Sequence, residues 1–416
     1  MKIEKIHYDQ SNDQHALSFS VIANDGEYPV WIKSPVPLMQ PEAAGNALLC
    51  ATLVPAMSVN QTLEIPPPVD QRLIDTSATI AEIYQTWYSD FSLPKCNLDA
   101  ESLEKKKANT NVGLFFSGGI DSFYTLLRKR DSITHLIYVH GFDIPLGDHV
   151  RRQKMSESLN AIANDLGLKL LEVETNLREF SDIFCLWGQH YFGCGLAMIA
   201  HLLSPSISTV YISCDTTYLM LEPWGSHPLV TPLWSTSNSE QIFFGANASR
   251  LEKTRFIGDN AITTKHLHVC WEHRSSSTNC GECEKCVRTM AMLFVTGNLT
   301  SYSCFPHTLT ADLVRNIELD NLLTLPFWQD ILDSSGAYPD IHDAVEYILG
   351  RYRSKTVVKM IRDDPIIVER IFGDGRLKKY IVDTVLTNMS LRSIIRIVLI
   401  KFRRKLGRII VSPRVR

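Results

Sequence analysis

This chain of 416 residues has no unbroken apolar run of the roughly 20 residues that a membrane-spanning helix requires. One stretch free of Asp, Glu, Lys and Arg, Ile183 to Cys214, comes near, but Gln189, His190, Ser204, Pro205 and Ser206 interrupt it. It divides into a buried helix over Gly188 to Leu203 and a buried strand, Thr209-Val-Tyr-Ile-Ser-Cys214. The opening residues, MKIEKIHYDQSND, hold no apolar h-region, so no export signal is expected. Neither sign of charge dominates: 42 basic side chains face 45 acidic ones, a net charge of −3 that gives no global sign of a nucleic-acid partner. Internal repeats, low-complexity tracts and the G-x-x-x-x-G-K-[ST] phosphate motif are all missing. What is present, 45% hydrophobic and 21% charged residues, suits a globular protein of two or three domains and excludes disordered, collagen-like and coiled-coil classes.

Six of the ten cysteines sit singly, at 50, 96, 185, 194, 214 and 304, which points to a reducing, cytoplasmic setting. The pattern along the chain predicts an N-terminal α+β module over residues 1–108, with a strand over His15 to Ala23, a turn at Asn24-Asp25-Gly26 and a return strand over Tyr28 to Ile32. Pro29 favours an edge position for that return strand. Helices are expected over Ala43 to Val54 and Ile74 to Trp87, separated by the proline-rich Ile65-Pro66-Pro67-Pro68. The polar run DAESLEKKKANT, Asp99 to Thr110, marks a boundary. Strands and helices then alternate through residues 109–300, which implies an α/β fold with a parallel sheet covered on both faces. A helical extension follows over 301–375, with Ala311 to Leu323 and His342 to Tyr352 as examples, and then a tail over 376–416.

The sharpest local signal is Ser117-Gly118-Gly119-Ile120-Asp121-Ser122, between a predicted strand (Val112 to Phe116) and a predicted helix. A helix N-terminus offers unpaired N–H groups and a positive dipole end, and the two glycines let backbone approach an anion without a Cβ in the way. Ser117 and Ser122 add hydroxyl donors. Asp121 would repel a bare phosphate, so its place is with Mg²⁺ or a neighbouring donor. The competing reading is an ordinary βα turn with a capping side chain.

A second cluster is Cys270, Cys280, Cys283 and Cys286, in the run CWEHRSSSTNCGECEKC. Thiolates two residues apart on a tight turn eased by Gly281 can grip one tetrahedral ion, and four with no open position suggest a structural Zn²⁺. A redox pair or an iron–sulfur cluster are the alternatives, and His266, His268 or His273 could stand in for Cys270. Between the motifs, Asp215 follows the strand at 209, where open α/β sheets place ligand contacts; it could hold Mg²⁺ or a substrate amine. Glu222, Trp224, Gly225, Ser226 and His227 form a loop suited to a substrate lip, and Asp143 follows the second strand.

The loop S-G-G-x-D-S after a first strand resembles the signature of the PP-loop ATP pyrophosphatase superfamily, which includes GMP synthetase, NAD synthetase, asparagine synthetase and tRNA thiolation enzymes. The later cysteine cluster is similar to that of the 7-cyano-7-deazaguanine synthase branch, with the first gap one residue longer. The resemblance covers roughly residues 110 to 300 and implies a PP-loop (HUP-like) domain with a four-cysteine zinc knuckle. It implies cleavage of ATP between the α and β phosphates, adenylation of a carboxylate or carbonyl oxygen, and attack by a nitrogen or sulfur nucleophile. By the resemblance, Ser117, Gly118, Gly119, Ile120, Asp121 and Ser122 hold the pyrophosphate end of ATP. Lys253, after Pro232-Leu233 and an insertion of about 18 residues, resembles the helix-borne lysine that approaches the phosphates in several such enzymes. Asp121, Lys253 and Asp215 are the expected catalytic residues, with ATP, Mg²⁺ and Zn²⁺ as cofactors. The branch's own substrate is not carried over, because that synthase is shorter at both ends.

The near-zero total charge hides an asymmetry. Residues 376–416 carry 12 Lys/Arg against one acid, Asp383, so the tail stands at +11 and the rest of the chain at −14. Leu391, Ile394, Ile395, Val398, Leu399, Phe402 and Leu406 recur there at helical spacing, as in a basic amphipathic helix for a membrane surface, a nucleic acid or an acidic partner. The leading expectation is an AMP-forming ligase with a nitrogen nucleophile. The alternatives are sulfur insertion into tRNA and a non-catalytic ATP- and zinc-binding module. A small molecule, a protein or a tRNA is the acceptor to be distinguished, and a second copy of the chain is a further candidate partner.

Overall fold

The computed structural model describes residues 1–11, 13–101, 110–272, 278–306, 308–319 and 322–363. The basic tail lies outside these residues, as does His273. The chain divides into a unit Met1–Leu309 and a unit Thr310–Arg416.

In the first unit, β1 (Lys2–Ser11), β2 (Gln14–Ala23) and β3 (Gly26–Ser34) form an antiparallel meander. Leu17, Phe19 and Val21 alternate inward along β2, and Asn24 and Asp25 both take left-handed φ values, 48° and 61°, as a tight type I′ turn demands. Helix α1 (Gly45–Ser58) is buried on every side, which its lack of charge permits. Strand β4 (Leu63–Asp70), helix α2 (Gln71–Trp87) and strand β5 (Cys96–Glu101) follow. The proline-rich segment expected to separate two helices is itself β4. Its prolines fall in an irregularity between Ile65 and Val69, where the β5 ladder is interrupted, so residues without an N–H cost no paired rung.

The alternating region supplies β6 (Val112–Phe115), α3 (Ile120–Arg128), β7 (His135–His140), α4 (His149–Leu166), β8 (Lys169–Thr175), α5 (Leu177–Phe184) and α6 (Phe192–Leu202). Strands β9 (Thr209–Ser213) and β10 (Glu240–Phe244) come next, then α7 (Arg250–Ile257), α8 (Thr263–His266) and α9 (Glu284–Val295). One ten-stranded sheet runs β10-β9-β6-β7-β8-β3-β2-β1-β4-β5. Strands β6 to β10 are mutually parallel, and β3 joins β8 antiparallel through Ile32–Thr175 and Lys33–Glu174. Pro29 therefore sits in an interior strand, but beyond the stretch that pairs with β8.

Alternation along β6 and β7 assigns the two faces. Phe115, Ile137 and Val139 join the core containing α1 and α6, whereas Leu114, Phe116, Leu136 and Tyr138 join the core containing α3 and α4. Among the described residues no single helix is long and apolar enough to cross a membrane. The pair Leu177–Phe184 and Trp187–Leu202 has the combined length but bends by 105°, and α6 is buried.

The second unit contains α10 (Ala311–Arg315), α11 (Leu325–Ser334) and α12 (Pro339–Asp363), with α12 packed on both others. Helix α10 stops well before Leu323: Asn316 closes it, in keeping with the preference of Asn for caps over helix interiors.

Candidate functional site

Counted from β6, the parallel strands run 3-2-1-4-5, and the order reverses between β6 and β9. Ligands of open α/β sheets bind outside the carboxyl ends of the strands at such a reversal. Both candidate loops leave from there: Ser117–Gly119 after β6 and Cys214-Asp215 after β9. Gly118 has φ +72°, a left-handed conformation, although a Cβ there would meet nothing closer than 3.5 Å; conformation rather than space asks for glycine. Gly119 is the extended N-cap of α3, and Ser122 donates its hydroxyl to the Gly119 carbonyl at 2.9 Å.

Asp121 lies in the first turn of α3. Its Oδ2 accepts from Arg250 Nη2 at 2.7 Å and its Oδ1 from Lys253 Nζ at 3.2 Å. Arg250 and Lys253 are three residues apart on α7, hence on one face, and a capping box between Ser249 and Glu252 fixes where that helix begins. Lys253 is 0% exposed; it also donates to the Cys214 carbonyl and lies 5.8 Å from the Tyr124 ring centroid. Asp215, its side chain 63% exposed, stands 3.5 Å from Arg250. Burial opposes ionisation of Asp121, but the charges and hydrogen bonds of Arg250 and Lys253 outweigh it and hold the carboxyl below its ordinary range. The two roles the sequence left to Asp121 thus resolve to neighbouring donors. A carboxylate with a cation on each oxygen does not fit a divalent ion, and Asp215 is the more open acid.

These groups border a cavity of roughly 320 Å³ whose wall includes Ser117, Gly119, Asp121, Asp215, Arg250 and Lys285. Phe142, Phe192, Leu196 and Trp224 make its other walls largely apolar, as small-molecule sites tend to be. Asp143 and Ser226 border it as well. Tyr138, 5% exposed, borders the cavity, and its buried hydroxyl has no hydrogen-bond partner among the described residues. Of the expected lip, Glu222 is not on the wall, Gly225 packs against Gly188 and Gly193, and buried His227 stacks edge-on against Trp87 at 4.8 Å. Gly193 sets the position of that lip, since a Cβ there would fall 1.8 Å from the Gly225 carbonyl oxygen. Gly193→Ala should push the Trp224–Ser226 segment outward and destabilise the fold by about 2 kcal/mol or more, read from urea unfolding.

The four cysteines converge at one point: the Sγ atoms of Cys270, Cys280, Cys283 and Cys286 all lie within 4.8 Å of one another, and all four residues are buried. Cys270–Cys283 and Cys280–Cys286 are each 3.9 Å apart. Zn–S bonds of about 2.3 Å in a tetrahedron put sulfurs about 3.8 Å apart, so the set fits a metal such as zinc. Gly281, φ +75°, makes the knuckle, and the N–H groups of Glu282 and Cys283 point at Cys280 Sγ at 3.5 and 3.3 Å. Hydrogen bonding from Cys286 first, and from Cys280 and Cys270, lowers the pKa of the Cys283 thiol against burial, toward the thiolate a metal requires. Cys270 is therefore the fourth member of the cluster. His266 bonds Ser158 instead, at 3.1 Å, and His268 borders the cavity.

The cluster and the phosphate-type loop are joined. Asn279 accepts the N–H groups of Val269 and Cys270 and donates to the Leu267 carbonyl, and the His268 N–H bonds the Gly118 carbonyl at 2.8 Å. His268 to Trp271 consequently form one wall of the cavity. Arg250, Lys285 and Tyr138 were not among the residues expected at the site, and the sequence offers His268 only as a stand-in metal ligand. The three-residue spacing of Arg250 and Lys253 on a capped helix was the one signal for the first; the others depend on sheet order. Comparisons with protein-family models, with curated proteins and with solved structures return no match.

Proposed function

We propose that this chain is a PP-loop ATP pyrophosphatase: an AMP- and pyrophosphate-forming enzyme that adenylates a carboxylate or carbonyl oxygen for attack by a nitrogen nucleophile. The observation that carries the reading is the S-G-G-x-D-S loop, running from a parallel strand into a helix N-terminus at the strand-order reversal. Backbone N–H groups of Gly119 and the first turn of α3 would face the phosphate chain, with the Ser117 hydroxyl beside them. Arg250, held on the cavity wall by Asp121, offers positive charge to the departing pyrophosphate with little reorganisation, while Lys253, buried behind the wall, holds Asp121 in place. Asp215 is the carboxylate suited to the Mg²⁺ that accompanies ATP, which would neutralise part of the phosphate charge. The aromatic walls around Phe142, Phe192 and Trp224 would exclude water from an acyl-adenylate. Zinc at the four cysteines would supply structure alone, since four thiolates leave no open position. Ten free thiols fit a reducing compartment such as the cytoplasm.

The test is pyrophosphate release from ATP across a panel of carboxylate and carbonyl acceptors. Release is expected with wild type and is expected to vanish in Asp121→Ala; full activity in that variant would sink the assignment.

A further inference from the structure

Charge around the phosphate-type loop is nearly self-cancelling. Arg250 and Lys253 are engaged by Asp121, and Arg250 also by Asp215. A polyphosphate brings several negative charges into a cavity with apolar walls, where an uncompensated anion is costly. The unspent positive charge on that wall is Lys285. It borders the cavity, and its ammonium makes no hydrogen bond or ion pair among the described residues. Asp143 and Asp121 reach it only through space, and so do the cations Arg250 and Arg288, the latter held by Glu284 at 2.8 Å. Lys285 stands between Cys283 and Cys286 in the first turn of α9, so the knuckle that gathers the thiols also aims this side chain. The same segment grips the loop backbone through His268 and Gly118.

We infer that Lys285 is a phosphate-binding residue: its ammonium binds phosphate oxygens of ATP, making the metal knuckle one wall of the nucleotide site. This rests on the proposed ATP chemistry and extends it to a residue outside the loop. A charge-assisted bond of this kind contributes about ten- to a hundredfold in affinity. Arginine at the position should keep most of it, since charge and reach are preserved.

The experiment is calorimetric titration of the full-length, metal-loaded chain with ATP, inorganic pyrophosphate and adenosine. Wild type, Lys285→Ala and Lys285→Arg are compared, with metal content and melting temperature measured on each. Lys285→Ala is expected to weaken ATP and pyrophosphate at least tenfold, to leave adenosine and metal content unchanged, and to lose less at high salt. Lys285→Arg should stay within about threefold of wild type. Unchanged pyrophosphate and ATP affinity in Lys285→Ala would overturn the inference while the ATP reading stands. Equal weakening of adenosine, or loss of metal, would overturn it by revealing a structural role. Wild type that binds neither ATP nor pyrophosphate would refute the ATP reading itself, and the inference with it.

Discussion

Cys283→Ser is expected to empty the metal site, lower the melting temperature by on the order of 10 °C and weaken ATP binding about tenfold. The first effect follows from geometry. Four buried sulfurs within 4.8 Å form a closed shell, and a serine hydroxyl does not replace a thiolate as a soft ligand. The second follows from linkage, since metal that binds only the folded cluster contributes its binding free energy to folding. In the unit Met1–Leu309 each kcal/mol is worth about 1–2 °C, so a drop on the order of 10 °C corresponds to loss of roughly 6 kcal/mol of metal-binding free energy, well within what a structural zinc site contributes. The third follows from the path to the loop. Without the metal, only the Asn279 hydrogen bonds tie Cys270 to the knuckle, and the His268 N–H that holds the Gly118 carbonyl at 2.8 Å loses part of its support. Metal analysis, a thermal melt and ATP titration read the three effects separately. Equal metal content in wild type and variant would refute the knuckle.

Much of this arrangement was legible in the residue pattern, for physical reasons that can be named. The loop at 117–122 announced itself because a strand-to-helix turn with two glycines is a local feature, and Gly118 does take the left-handed conformation such a turn calls for. The cysteine spacing was equally local, but the choice of Cys270 over a histidine was not. It is made by Asn279, which ties the Cys270 backbone to the knuckle, while His266 is turned toward Ser158 on α4. Strand β1 escaped notice because a bulge between Glu4 and His7, with Lys5 at φ 54°, breaks the alternation that marks a strand. Strand β4 escaped because three prolines are legible as a breaker, and only the interrupted ladder with β5 makes them tolerable. Continuity of one sheet from β5 to β10 depends on two residue pairs between β3 and β8, far apart in sequence. Arg250 and Lys285 became site residues through the same long-range order, which no window of sequence contains.

The largest effect on chemistry is expected at Asp121, and it can be separated from the effect on folding. Asp121→Asn should reduce pyrophosphate release at least a thousandfold and cost about 3 kcal/mol of stability. Asparagine keeps the shape and one acceptor but not the charge, so Lys253 loses its ion-pair partner, whereas Arg250 keeps Asp215 at 3.5 Å. Lys253, 0% exposed, has no water to turn to. Acid behaviour should change in the same variant. The folded carboxyl ionises below its unfolded value of about 3.9, so its contribution is complete above that pH and fades as pH falls through the lower folded value. Wild type should therefore steepen its loss of stability below about pH 4, and Asp121→Asn should lack that component. Adding Lys253→Met to Asp121→Asn removes the orphaned charge from its apolar surroundings. The double variant should recover much of the lost stability, a coupling that a double-mutant cycle measures directly. It should recover none of the activity, because Arg250 on the cavity wall still lacks the carboxylate that orients it. Recovery of both would mean that the Asp121–Lys253 pair serves the fold alone, and would remove it from the catalytic assignment.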